Sequence, residues 1–227
     1  MIKLEKTEIF GWGTAIRGMR NPMNSWDKSD SNCTSCMNEN KNKDCESCFL
    51  YIGENDLNLM KRLSKAGTDH SKFLRMINVT VDITAPLYWW KEFDTYKVGT
   101  VANSCSTMHK IQSKPIELSD FSTEEFDFPD DYSISFNDCM LNVIADCEQL
   151  RQLFVSTGEK KYWRGLIQLL PSSYNQKRTI QLNYQVLKSM YFARHNHKLD
   201  EWYDFCKWCE ALPYFEEICI QSDISKE

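Results

Sequence analysis

Residues 77–83 alternate strictly: Ile77, Val79, Val81 and Ile83 share one side, Asn78, Thr80 and Asp82 the other. That is the period of a half-buried strand. The period then changes. Thr84 reads as a helix cap and Pro86 as a first-turn residue, followed by an aromatic helix carrying Tyr88, Trp89, Trp90, Phe93 and Tyr96. Upstream, Ile2, Leu4, Ile9 and Phe10 predict a first strand over 2–10, ended by Gly11 and Gly13. A short helix over 14–19 would bring Arg17 and Arg20 together, and 20–31 reads as an ordered loop in which Trp26 is the residue to bury. A helix over 56–66 carries Leu57, Met60 and Leu63 on one stripe, with Asn55 as cap and Gly67 as terminator.

The second half is mostly helical in pattern. Met140, Val143, Ile144, Cys147, Leu150 and Phe154 mark a helix over 137–156, and a further helix over 160–170 stops at Pro171. From about 177 to 194 a helix is predicted with Leu187, Met190 and Tyr191 between a polar residue at each end, Asn183 and Arg194. At 1.5 Å per residue those two lie roughly 16 Å apart, the span of a nucleotide with a cofactor rather than one small ligand. Asp200 caps a last helix over 201–211, with Cys206 and Cys209 on one face as core thiols. Between these blocks, 112–135 is loose and acidic and reads as an internal linker, with a capping box at Ser122-Thr123-Glu124-Glu125.

Composition narrows the class. The 227 residues are 42% hydrophobic and 13% aromatic, enough for one substantial core. A net charge of −5 argues against general nucleic-acid binding and leaves a local basic site open. No apolar run approaches the ~20 residues of a membrane span, and MIKLEKTEIFGW lacks the apolar core of a signal peptide. A cytoplasmic protein is expected, in which ten cysteines read as thiols or metal ligands. Cys33-x-x-Cys36 and Cys45-x-x-Cys48, within a Cys-rich excursion over 31–50, have the bite of two zinc knuckles. Four sulfurs would close the shell of a structural zinc. Free or redox-active thiols are the other reading.

Two segments carry candidate chemistry. After the aromatic helix comes a small, polar run, Gly99 to Thr107, flanked by Lys97 and by His109 and Lys110, suited to presenting a ligand site or simply to a solvated loop. Arg17 and Arg20 beside the Trp26 loop would hold a phosphate or pair with surface carboxylates.

These segments resemble the flavin-dependent thymidylate synthases, the ThyX family. Leu170-Pro171, Asn183, Leu187 and Arg194 keep the family's C-terminal frame without a gap, and Ala85-Pro86 follows a strand as in its second block. With one inserted residue Asn103 and Ser106 fall on the family's Asn and second Ser; ungapped, Thr100 falls on the first Ser. The resemblance covers about 54–110 and 165–205, and more loosely the region of Arg17. It implies an α+β fold, helices packed on a small, mostly antiparallel sheet, in a single domain over 1–227 with the Cys-rich excursion outside the likeness. It further implies FAD as cofactor near Lys97, Thr100, Asn103 and Asn183, a nucleotide held by Arg194, Ser106 and Arg17, and a homotetramer with sites completed between copies. The chain also departs from the family: Arg-His-Arg, which contacts the flavin, becomes Thr95-Tyr96-Lys97, and the block's closing Arg becomes Met108. Lysine does not reproduce a bidentate guanidinium.

Three functions follow as expectations. The first is a divergent flavin-dependent enzyme transferring a methyl or one-carbon unit to a pyrimidine nucleotide. The second is a non-catalytic protein of the same fold that binds or sequesters a nucleotide. The third is an interaction protein that meets a partner through the zinc knuckle and the Trp26 loop.

Overall fold

The structure is a computed structural model that describes residues 2–33, 50–124 and 136–221. Cys36, Cys45, Cys48, the side chain of Cys33 and Glu125 of the expected capping box lie outside the described residues. In chain order the elements are β1 (Lys3–Phe10), α1 (Trp12–Arg20), β2 (Asn32–Cys33), β3 (Leu50–Tyr51), α2 (Glu54–Lys65), β4 (Asn78–Pro86), α3 (Leu87–Phe93), β5 (Val101–Ser104), α4 (Thr107–Lys110), α5 (Phe136–Thr157), α6 (Lys160–Leu169), β6 (Asn175–Asn183), α7 (Tyr184–Arg194) and α8 (Asp200–Glu210), then a π-helical turn over Glu216–Ile220. The fold is α+β: a four-stranded, mostly antiparallel sheet of order β1-β4-β6-β5 with helices, plus the antiparallel pair β2–β3.

The chain forms two compact units. In the first, Asp82–Thr95 and Ala102–Thr179, α5 packs on α6. Ile111, Ile116, Phe121, Met140, Ile144, Cys147 and Leu166 form its core. Trp89, Trp90 and Phe93 of α3 are fully buried, and α3 is fastened by Leu87 N–H to the Tyr174 carbonyl and Tyr88 N–H to that of Ser172, both at 3.0 Å. Glu148 and Arg151 of α5 tie down the preceding segment: Glu148 accepts from the Ile116 N–H at 2.9 Å, and Arg151 Nη1 donates to the Gln112 carbonyl at 3.2 Å.

In the second unit, Leu4–Val81, Tyr96–Val101 and Ile180–Glu227, α7 packs on α8 and on the 3-10 turn Lys72–Met76, which also receives α1. Trp12, Tyr184, Tyr214 and Phe215 meet edge to face at 5.3 to 5.7 Å. Cys206 and Cys209 are buried here, as their placement on one helix face predicted.

Several expectations need correction. The long helix from 177 is a strand followed by a shorter helix. Gln176, Ile180 and Leu182 are buried at even spacing, so β6 keeps period 2 as far as Asn183, where the period changes to that of a helix. The aromatic helix starts at Leu87, because Thr84 and Ala85 continue the β4 alternation and a residue before proline favours extended backbone. It ends at Phe93, before Tyr96. Leu199, rather than Asp200, holds the N-cap position of α8.

The cap of α2 is non-local. Gly53 holds the N-cap position, and the Asp30 carboxylate takes the Asn55 and Asp56 N–H groups at 2.8 and 3.1 Å. A Cβ on Gly53 would sit 2.2 Å from Asp30 Cγ, so the approach demands glycine. Trp26 is 51% exposed instead of buried, and its Nε1 donates to Asn21 Oδ1 at 2.8 Å. Arg20 is what holds that loop, through the Ser25 and Lys28 carbonyls at 3.1 and 3.0 Å.

Candidate functional site

Within the second unit, the segment Tyr96–Val101 touches both ends of α7. At the N-terminal end, Asn183 is the N-cap, its Oδ1 accepting the Val186 N–H at 3.1 Å. Gly99 turns over this cap at φ 79°, in the left-handed region that favours glycine, and a Cβ there would lie 3.0 Å from Val186 Cγ2 and 3.4 Å from Asn183 Nδ2. The neighbouring Thr100 buries its Oγ1 without a hydrogen-bond partner among the described residues.

At the other end, Arg194 closes the last turn of α7, where a cation complements the helix dipole. Its Nε donates to the Tyr96 hydroxyl at 2.9 Å. Its guanidinium lies over the Trp202 ring at 4.8 Å and that of Tyr96 at 5.6 Å, and the two rings meet edge to face at 6.3 Å. These contacts restrict the orientation of the guanidinium plane. Lys97 is exposed beside Tyr96. One strip of the second unit thus gathers four of the sequence-predicted residues: Lys97, Thr100, Asn183 and Arg194.

The others belong to other segments. Arg17 is exposed on α1, and its expected companion Arg20 is buried, with Nε on Asp56 Oδ1 at 2.6 Å. Burial alone would raise the Asp56 pKa; hydrogen bonds from Ser31, Ser29 and Arg20 bring it below the ordinary value. The two arginines therefore do not form a joint phosphate clamp. In the first unit, Asn103 is exposed on β5, and Ser106 caps α4 by accepting the His109 N–H at 3.1 Å. Among the described residues no group of three or more His, Cys, Asp or Glu side chains is placed to hold a metal ion. No helix among them is long and apolar enough to cross a membrane.

Sequence reasoning missed Tyr96 and Trp202 as partners of Arg194, and also Arg178. Arg178 stacks on Trp90 at 4.1 Å and donates to Asp94 Oδ1 at 2.7 Å and to Gln176 Oε1 at 2.9 Å. Tyr96 carried one legible signal, its place in the altered triplet. Trp202 carried none.

The triplet also tests the flavin expectation. Thr95 spends its hydroxyl on the Glu92 carbonyl at 2.7 Å, Tyr96 is engaged by Arg194, and only Lys97 is cationic. The triplet thus offers one cation, Lys97, where the family pattern has two arginines.

No family model matches the sequence, and no curated protein matches it. Solved structures do. Thymidylate synthase X from Helicobacter pylori, crystallised with FAD and dUMP, superposes with a TM-score of 0.67 at 16% identity, over 98% of this chain and 99% of its own. A second structure of that enzyme with FAD and dUMP gives 0.63 at 15% identity, over 97% and 98%. The fold is that of ThyX. The UMP/dUMP methylase PolB of Streptomyces cacaoi, bound with 5-Br dUMP, shares it with a TM-score of 0.59 at 12% identity, over 96% of this chain and 94% of that one. The ThyX-like architecture read from Ala85-Pro86 and the Leu170 to Arg194 frame is therefore present. Among the three neighbours a uracil nucleotide is common to all, and FAD is named with two.

Proposed function

We propose that this chain binds a pyrimidine nucleotide monophosphate on the strip formed by Tyr96–Val101 and α7. The observation that carries this reading is the gathering of Lys97, Thr100, Asn183 and Arg194 along one helix. Arg194 and Lys97 supply positive charge for the phosphate, and Asn183 with Thr100, roughly 16 Å away at the other end of α7, supplies polar groups for a cofactor beside the nucleotide. The shared fold and the uracil nucleotides named with its neighbours support the choice of ligand class. Thermal shift with dUMP tests it: ligand at 100 times its Kd adds about 2.7 kcal/mol. Arg194→Ala should abolish the shift. No stabilisation of the wild type by dUMP, UMP or dCMP would overturn the reading.

Methyl or one-carbon transfer to that nucleotide with FAD is the second reading, favoured by the FAD named with both thymidylate synthase structures. A flavin band between about 300 and 550 nm, retained after FAD addition and desalting, would favour it over binding or sequestration alone. The wider resemblance carries a homotetramer, and the knuckle spacing carries one structural zinc per chain; we include both in the proposal, to be tested by light scattering and by metal analysis.

A further inference from the structure

Arg178 stands on the core side of β6, in step with Gln176, Ile180 and Leu182, where the strand period calls for an apolar residue. Its contacts join the two ends of one segment. Nη1 donates to Asp94 Oδ1 at 2.7 Å, at the C-cap of α3 and directly before the altered triplet. Nε donates to Gln176 Oε1 at 2.9 Å, and Gln176 Nε2 donates in turn to the carbonyl of Cys105, the residue after β5, at 2.8 Å. Trp90 lies against the guanidinium at 4.1 Å and donates its own Nε1–H to the Gln176 carbonyl at 2.9 Å. All these residues belong to the first unit. We infer that Arg178 is a positioning residue: with Gln176 it clasps both ends of 95–104, the segment bearing Lys97 and Thr100, and so presets that segment for the nucleotide. The inference rests on the proposed nucleotide reading.

The physical argument concerns the freedom of the unbound segment. A stretch that leaves a helix end and returns as a strand has fewer conformations when its two ends are held together. Arg178 is suited to the holding. Its side chain is 14% exposed and that of Asp94 49%, so the pair is partly shielded from water. A guanidinium with two acceptors and a ring face has direction as well as charge, which a lysine would lack. Gln176 is buried and spends both halves of its amide, one on Arg178 and one on Cys105. Removing the arginine donor leaves Gln176 Oε1 short of a partner, and the disturbance reaches Cys105 through the same side chain. The segment then gains conformations that a ligand must remove when it orders Lys97 and Thr100. Affinity falls by that ordering cost, with no contact between Arg178 and the ligand.

The test uses two readouts on the full chain. The first needs no ligand: the rate of tryptic cleavage after Lys97, which is exposed like Val98 beside it, followed by mass spectrometry well below the melting temperature. Arg178→Met keeps a long side chain on Trp90 and removes both hydrogen bonds; cleavage after Lys97 should become about tenfold faster. The second is dUMP affinity by calorimetric titration, which Arg178→Met should weaken about tenfold. Asp94→Asn keeps the shape at the end of α3 and removes the charge. It should move both readouts in the same direction and add nothing when combined with Arg178→Met. An arginine that merely stabilises the fold would lower the melting temperature and leave the Lys97 cleavage rate and the dUMP affinity at wild-type values. That result overturns the inference, as does full additivity of the two substitutions. Where Arg178→Met does not fold, Asp94→Asn carries both readouts. Absence of dUMP binding by the wild type would be the failure of the nucleotide reading, distinguishable because it precedes any variant, and the cleavage rate would still decide whether the clasp holds the segment.

Discussion

Asn183 illustrates how a single residue carries two duties. Its Oδ1 closes the first turn of α7, while its amide faces the Gly99 turn. Asn183→Ala should cost about 1 kcal/mol of stability through the lost cap, read as a shift in urea midpoint at constant slope. Gly99→Ala must place a side chain at φ 79° against Val186 and should destabilise the chain by about 1 to 2 kcal/mol. The described cysteines divide as sharply. Cys105 and Cys139 are exposed, whereas Cys147, Cys206, Cys209 and Cys219 are buried. Burial pushes the Cys147 and Cys206 thiols up to about 11 and Cys209 well above its ordinary value. Iodoacetamide at pH 7.5 (roughly one unit below a free thiol) should therefore label Cys105 and Cys139 in the native protein and spare the other four until denaturant is added. Peptide mass spectrometry decides, and Cys209 reacting as fast as Cys105 would contradict the buried arrangement.

Between elements, a buried ion pair fastens α1 to α2. Arg20 of α1 and Asp56 of α2 are 5% and 0% exposed, and Asp56 also takes the Ser29 and Ser31 hydroxyls at 2.7 Å. Arg20→Ala leaves that carboxylate buried with its cation removed, and should cost about 3 to 5 kcal/mol, measurable as a large fall in melting temperature. In the first unit, hydrogen bonds from Arg151 hold the Glu148 carboxyl at about 2, below its ordinary 4.5. The folded state thus binds the proton more weakly than the unfolded chain, so this stability is fully present above pH 4.5 and fades as pH falls towards 2. Glu148→Gln should cost about 2 kcal/mol at pH 7, and the gap from wild type should close across that acidic window in urea titrations. The strand β1 shows a smaller adjustment. Leu4 and Ile9, its two half-buried residues, are an odd number of places apart, and Lys6 at φ 51° supplies the local break that lets both turn inward.

At the scale of the whole molecule, the resemblance to ThyX rested on the strand before Ala85-Pro86 and on the frame from Leu170-Pro171 to Arg194, and the fold that the resemblance implied is the fold observed. The candidate site was legible in part. Asn183 and Arg194 were marked by the frame, Thr100 by the second block and Lys97 by the altered triplet, but their gathering depends on Tyr96–Val101 returning to α7, and no local pattern encodes that return. The expected helix from 177 failed for the same reason: Lys177 to Gln181 have no decisive period of their own, and sheet pairing makes them a strand. What the sequence determined by itself was the alternation of β4 and the thiols of the last helix as core. These follow from burial repeating every two or 3.6 residues along one segment. What tertiary structure alone decided was Asp30 as the cap of α2, Arg20 as the holder of the Trp26 loop, and Tyr96 with Trp202 as the seat of Arg194. Each joins residues distant in the chain, and a hydrogen bond or ring contact of that range exists only once the elements have packed.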